Sequence, residues 1–378
     1  MEKRALAHIE KIEWVKPISG ADNIELIGVL GWVCIAKKDE FKEGDLAVYI
    51  EIDSKCPATD ERFEFLAKRK YKIKTMKLAK FDVISQGIAL PVTMFPELKG
   101  KKIGVDVTDI LGIIYFEPKE QEDKADIVAE QLKKKRIAQN VIVKSLMRYE
   151  WFRKIMALFF VDKYEKQKQF PKWIKKTDET RIENAPHYLK DAEPWVVTEK
   201  IDGTSCTYAV DLIKKNKYEF YICSRNQRIL YKNQNSDSGL NIYCRLAEKY
   251  RIEKRLTEFA KQHGYRSVVL QGEGVGNVQG NPYQLKEDDF YAFNIVIEGK
   301  RLGTVEMSEI CKTLNLKHVP IIDTEYYLPK TMQEMKEAAE GQSVINENVK
   351  REGLVYRSFD GSKSFKNVSN SYLLKHVR

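Results

Sequence analysis

The run Thr198-Glu199-Lys200-Ile201-Asp202-Gly203-Thr204-Ser205 constrains this chain more than any other stretch, because it sets an amine, a carboxylate and a residue without a side chain within four positions. A neutral lysine amine can attack the α-phosphate of a nucleotide and form a phosphoramidate, Asp202 can hold a metal ion or its water, and Gly203 lets the backbone come close. A Lys-Ile-Asp-Gly string also suits an ordinary surface strand and turn, so its meaning depends on the rest of the chain. Downstream of it lies an ordered series. Ser224-Arg225-Asn226 closes a strand-like run, and Leu270-Gln271-Gly272-Glu273-Gly274 sets a carboxylate after an apolar one. Then come Phe290-Tyr291-Ala292-Phe293-Asn294-Ile295, Arg351-Glu352-Gly353-Leu354-Val355 and Lys363-Ser364-Phe365-Lys366.

In this order the phrases resemble the six-motif core of the covalent nucleotidyltransferases, the superfamily of polynucleotide ligases and mRNA capping enzymes. The nearest likeness is to ATP-dependent RNA ligases with an extra domain at the N-terminus, the nick-sealing type of bacteria and amoebae. The resemblance implies an α+β fold in three parts: an oligonucleotide-binding-like small β-barrel over residues 1–118, a helical connector over 119–175, and a C-terminal ATP-grasp-like nucleotidyltransferase domain over 176–378. It implies a covalent lysyl-AMP on Lys200, and Mg²⁺ or Mn²⁺ held by Asp202, Glu273 and Glu352, directly or through water. Glu199 falls near the adenine edge, Phe293 stacks on the base, and Arg225 meets the ribose and phosphate. Gly203, Glu273 and Glu352 join the nucleotide-binding set, with Lys363 and Lys366 on the α-phosphate and Arg181 on the β and γ phosphates. One departure stands out. The superfamily commonly separates its two last lysines by one residue, whereas Lys363 and Lys366 have two between them, with Val368 where a second lysine could stand. Lys366 is the firmer correspondence.

Length and charge agree with this picture. The 378 residues suffice for two domains, and a net charge of +10 favours a polyanionic partner. The six cysteines are dispersed without a Cys-x-x-Cys pair, which argues for reduced thiols and against zinc. No signal-length apolar stretch adjoins Met1-Glu2-Lys3-Arg4, so the expected setting is intracellular and soluble, with neither a membrane nor a protein partner in evidence. From His8 to Glu117 short apolar runs alternate with turns, which predicts about five strands closing into a small barrel. Lys68, Arg69, Lys70, Lys72, Lys74, Lys77 and Lys80, interleaved with Tyr71, suit either a phosphate backbone or a solvated face. Three- and four-residue spacings of Leu146, Trp151, Phe152, Ile155, Leu158 and Phe159 predict connector helices. Beyond Lys176, strands are expected over Trp195–Val197, Cys206–Val210, Tyr218–Cys223 and Ser267–Gln271, and one long helix over Asn241–His263 ending at Gly264.

A free lysine is protonated at neutral pH, so Lys200 is expected to have its pKa lowered by burial and by nearby cations. The chain ends shortly after Lys366, which leaves no room for the trailing oligonucleotide-binding domain usual in DNA ligases and capping enzymes. That points to RNA as partner, with ATP as substrate and a nicked duplex as the expected joint. A DNA ligase or GTP-dependent guanylyltransferase with the same lysine chemistry, and a catalytically inactive nucleic-acid-binding protein, are the alternatives.

Overall fold

Apolar residues at every second position between turns make the N-terminal region a sheet. The computed structural model describes residues 5–116, 169–230, 241–278 and 280–375. In it β1 (Ala7–Pro17), β2 (Ile24–Val29), β3 (Trp32–Lys37), β4 (Leu46–Ile50) and β5 (Ile88–Pro91) form an antiparallel sheet in the order β3-β2-β1-β4-β5. Beyond Leu46, β4 is buried on both faces, with Tyr49 edge-on to His8 and close to Trp32. The lysine-rich stretch is only partly strand. Glu61–Arg69 winds as a 3-10 helix capped by Asp60, and Lys70 and Tyr71 then turn through left-handed backbone, at φ 54° and 60°. Of the expected connector helices, residues 119–168 lie outside the described residues.

The C-terminal region holds two antiparallel sheets. Its strands are β6 (Trp195–Lys200), β7 (Thr204–Lys214), β8 (Lys217–Cys223), β9 (Ser267–Val275), β10 (Asp289–Ile297), β11 (Ile321–Tyr326), β12 (Gly353–Arg357) and β13 (Ser364–Val368). One sheet runs β11-β6-β12-β13; the other runs β8-β7-β9-β10, extended at its edges by Arg228–Ile229 and Lys300–Arg301. The expected single helix is two, α1 (Ile242–Lys249) and α2 (Ile252–His263), because Arg251 enters left-handed backbone at φ 48° and starts a new helix. Gly264, at φ 70°, ends α2 as expected. Two further helices, α3 (Thr304–Thr313) and α4 (Met332–Ala338), come next, the latter opened by a Thr331–Glu334 capping box. Among the described residues no helix is long and apolar enough to cross a membrane, and none of the six cysteines forms a disulfide.

The tip of the β2–β3 hairpin rests on the segment just ahead of the nucleophile strand. Gly31 donates its N–H to the Glu183 carbonyl at 2.8 Å, and a Cβ there would stand 2.6 Å from Glu183 Cα, so this approach requires glycine. Trp32 Nε1 donates to Asn184 Oδ1 at 2.5 Å, and Asn184 Nδ2 donates to Glu51 Oε1 at 2.6 Å. The fully buried Glu183 pairs with Lys336 of α4, and Arg181 meets Asp53 at 3.2 Å. The contacts of Gly31, Trp32, Glu51 and Asp53 thus tie the N-terminal sheet to the 181–184 segment, while Lys336 holds that segment from the other side by pairing with its buried Glu183, whose loss of a partner would cost about 3–5 kcal/mol.

Candidate active site

Strand register brings the distant motifs together. Lys200 ends β6 and lies opposite Gly353 of β12, which places it beside Glu352: Nζ stands 2.7 Å from Oε1. Residues 201–203 then cross from one sheet to the other, where β7 pairs with β9 and sets Ser205 opposite Glu273. On β13, Lys366 lies opposite Val355 of β12. The upstream segment runs alongside it, Lys366 donating its N–H to the Thr180 carbonyl at 2.8 Å and bridging to Arg181 in parallel sense. All of these surround one cavity of about 740 Å³, large enough for a nucleotide. Phe293 of β10 lines it, while Phe290 is fully buried in the core.

Burial dominates the electrostatics. It pushes Glu273 up to about 8 against the pull of the Lys200 ammonium, and it raises Glu352 and Glu199 as well. Burial draws Lys366 down to about 8, although Asp178, 2.8 Å away, favours its charge. Lys200 behaves differently from expectation. Burial acts to lower it, but Glu352, Glu273 and Asp202 outweigh burial and hold the amine above its ordinary value. The protein's own groups around Lys200 are mostly acidic, and so they keep the nucleophile protonated.

Several polar atoms point into the site without a protein partner. Glu273 Oε2, Glu199 Oε1 and Arg181 Nε and Nη1 are buried and unpaired, and such groups are costly unless a ligand satisfies them. Glu199 keeps its other oxygen on the Val344 N–H at 2.8 Å. Among the described residues no group of three or more His, Cys, Asp or Glu side chains is placed to grip a metal ion directly. The carboxylates of Asp202, Glu273 and Glu352, all close enough to act on Lys200, fit the outer sphere of a hydrated cation, which magnesium prefers to keep.

Of the residues read from sequence, Lys200, Glu199, Arg181, Arg225, Glu273, Phe293, Glu352 and Lys366 line the cavity. Lys363 does not: its ammonium pairs at the surface with Asp191 at 3.0 Å, because the one extra residue makes its separation from Lys366 odd, and along extended chain an odd separation sends the two side chains to opposite faces. Asp202 and Gly203 sit just behind the lining, where Gly203 faces the Gly274 carbonyl. Sequence reasoning passed over Asp178, which pairs with both Lys366 and, at 3.7 Å, Arg225. It also passed over Asp53, whose segment enters the same cavity along with Lys72 and Lys74. The phrase Val48-Tyr49-Ile50-Glu51-Ile52-Asp53 held the signal for Asp53, but nothing local says which cation it meets.

A family model described as RNA ligase matches residues 193–375, and an OB-fold domain model matches residues 6–92. No curated protein sequence matches the chain. Among solved structures, Naegleria gruberi RNA ligase with PPi is similar over 99% of this chain and 99% of its own, at 31% identity and TM-score 0.78. Mutants of that ligase are similar too: one with AMP and Mn at 31% identity, TM-score 0.78 and 99% of each chain, and one with ATP and Mn at 31% identity, TM-score 0.77, 98% of this chain and 99% of that one. Both parts of the architecture and the whole length are matched together, and on that ground the chain belongs to the RNA ligase family.

Proposed function

We propose that the chain is an ATP-dependent RNA ligase that joins 3′-OH and 5′-phosphate ends at nicks in a duplex through a lysyl-AMP on Lys200. The observation that carries this is the convergence on one cavity of an amine, buried carboxylates, a flat aromatic face and phosphate-binding cations. In the first step Lys200 Nζ loses its proton and attacks the α-phosphorus of ATP. A nitrogen–phosphorus bond forms, the bond to the bridging oxygen breaks, and pyrophosphate leaves. Lys366 and Arg225, both lining the cavity, would hold the α-phosphate and ribose oxygens. Arg181, with two unpaired donor atoms, would meet the leaving pyrophosphate, and Lys72 and Lys74 of the N-terminal domain line the same cavity. Asp202, Glu273 and Glu352 would hold Mg²⁺ or Mn²⁺. When bound, the cation neutralises these carboxylates, relieves their hold on the Lys200 proton and offsets charge on the α-phosphate.

In the second step a 5′-phosphate oxygen attacks the AMP phosphorus and the lysine nitrogen leaves. In the third, a 3′-hydroxyl attacks the activated 5′-phosphate and AMP departs. Phe293 offers the stacking face for the base. The free Glu199 oxygen suits the exocyclic amine of adenine and disfavours guanine, which presents a carbonyl at that position. The Naegleria gruberi RNA ligase structures, solved with ATP, AMP, Mn or PPi, support the same substrate and metal here.

The test is incubation of purified protein with Mg²⁺ and α-labelled ATP or GTP, a denaturing gel, and then a nicked duplex with RNA or DNA on the 3′-OH side. Label from ATP alone, lost in Lys200→Ala, and sealing that needs an RNA 3′ end are the expected results. Label that persists in Lys200→Ala refutes the nucleophile, and label from GTP refutes the adenine assignment.

A further inference from the structure

Phe293 sits at a break in the register of its sheet. Between β9 and β10, Gln271 pairs with Asn294 and Gly272 with Ala292, so Phe293 is one residue more than the neighbouring strand can match. An extra residue of this kind is a β-bulge, which re-aims a side chain and disrupts the local ladder. The Phe293 carbonyl accepts from Arg357 Nη1, and the guanidinium carbon of Arg357 stands 6.0 Å from the centre of the Phe293 ring.

Arg357 ends β12, in the other sheet, and is buried although it is charged. Its side chain lines the same cavity as Phe293. Nη2 donates to Glu179 Oε1 at 2.9 Å, and Glu179 in turn accepts from the Ser364 hydroxyl of β13 and pairs with Arg301 at 3.6 Å. One guanidinium therefore joins the bulge on β10, the end of β12 and the segment upstream of the nucleophile. Its planar fork sets two partners at a fixed spacing. The bulge carbonyl cannot shift without disturbing a largely buried ion pair.

We infer that Arg357 is a positioning residue for the base: by tying the Phe293 carbonyl to Glu179 it locks the bulge and fixes the direction in which the Phe293 ring meets the cavity. This rests on reading Phe293 as the face on which adenine stacks. Stacking depends on the offset and tilt of the two rings, and a residue unmatched in its ladder has no opposite number to hold that tilt. The arginine supplies the hold from the opposite sheet. A lysine cannot replace it, because one ammonium on a flexible stem lacks the rigid pair of donors.

The test uses the full-length protein and measures single-turnover lysyl-AMP formation against ATP concentration at fixed free Mg²⁺. Wild type, Arg357→Lys, Phe293→Ala and the double variant are compared, with tripolyphosphate as a competing ligand that carries no base. Arg357→Lys is expected to raise half-saturating ATP about 10-fold, within the roughly 5- to 150-fold that one stacked base is worth, and to leave inhibition by tripolyphosphate within about twofold of wild type. In the Phe293→Ala background the same change should add less than about twofold, since two residues acting on one contact are not additive. Glu179→Gln, which keeps the shape and weakens the tie, should move half-saturating ATP the same way by a smaller factor, and it carries the same comparisons if Arg357→Lys does not fold. Equal weakening of ATP and tripolyphosphate, or an undiminished effect in the Phe293→Ala background, overturns the positioning role. Half-saturating ATP that rises in Phe293→Ala but not in Arg357→Lys or Glu179→Gln overturns it too and leaves the stacking reading standing. No rise in Phe293→Ala overturns the stacking reading and this inference with it.

Discussion

Gly203→Ala is the sharpest test of how the nucleophile is placed, because the obstacle it meets is backbone and cannot swing aside. A Cβ at this position would lie 2.6 Å from the Gly274 carbonyl oxygen and 3.0 Å from Val275 Cγ1. Ordinary contact begins at 3.4 Å. The Gly274 oxygen belongs to β9, held in its ladder by Thr204 on one side and Phe290 on the other, so the crossing at 201–203 must yield by about 0.8 Å, the gap between 2.6 and 3.4 Å. That crossing carries Asp202 and hangs directly from Lys200. Misplacing a reacting group by about 1 Å costs on the order of 100-fold in rate. Single-turnover lysyl-AMP formation at saturating ATP and Mg²⁺ is therefore expected to fall about 100-fold, with a stability loss of about 1–3 kcal/mol for the crowding. Rapid quench and a denaturing gel give the rate, and circular dichroism melting gives the stability. A folded variant that adenylylates within about threefold of wild type would refute the reasoning, since it would mean the crossing moves without moving Lys200.

Phe293→Ala is expected to weaken ATP binding by about 1–3 kcal/mol, the worth of one base on an aromatic face, and to affect sealing of a preadenylylated strand less; equal losses in both assays would remove the stacking role. Lys366, drawn down to about 8 by burial, loses its charge as pH rises through that value, so kcat/KM for ATP, which reports the free enzyme, should fall on the alkaline side. Lys366→Arg keeps a cation at every accessible pH and should push that limb out of range. Glu273 has its folded pKa raised to about 8, so the folded state binds a proton more tightly than the unfolded chain. Its contribution to stability is present in full below about 4.5 and is lost as pH rises through 8. In metal-free buffer Glu273→Gln should therefore melt higher than wild type at pH 9 and close to it at pH 4.5, and a gap that fails to open with pH would count against the burial argument.

What the sequence made legible is the order of the chemistry along the chain, because each functional residue sits in or beside a strand with its own apolar signature. Lys200, Glu273, Phe293, Glu352 and Lys366 could be named in advance as candidates, and the structure gathers them around one cavity through register: Lys200 faces Gly353, Ser205 faces Glu273, and Val355 faces Lys366. What stayed hidden are contacts with no periodic trace. Arg181 and Asp53 are 128 residues apart. The break at Arg251 has no glycine or proline to announce it, because an arginine supplies the left-handed residue. The state of the nucleophile was hidden for a different reason. A residue list treats carboxylates beside a lysine as helpers, yet at 2.7 Å from Lys200, Glu352 stabilises the ammonium and so opposes attack. The same three carboxylates that suit a divalent cation restrain the amine while their charge is uncompensated. Reactivity at Lys200 is therefore a property of how that negative charge is balanced, which depends on distances that strand register creates and that spacing along the chain does not contain.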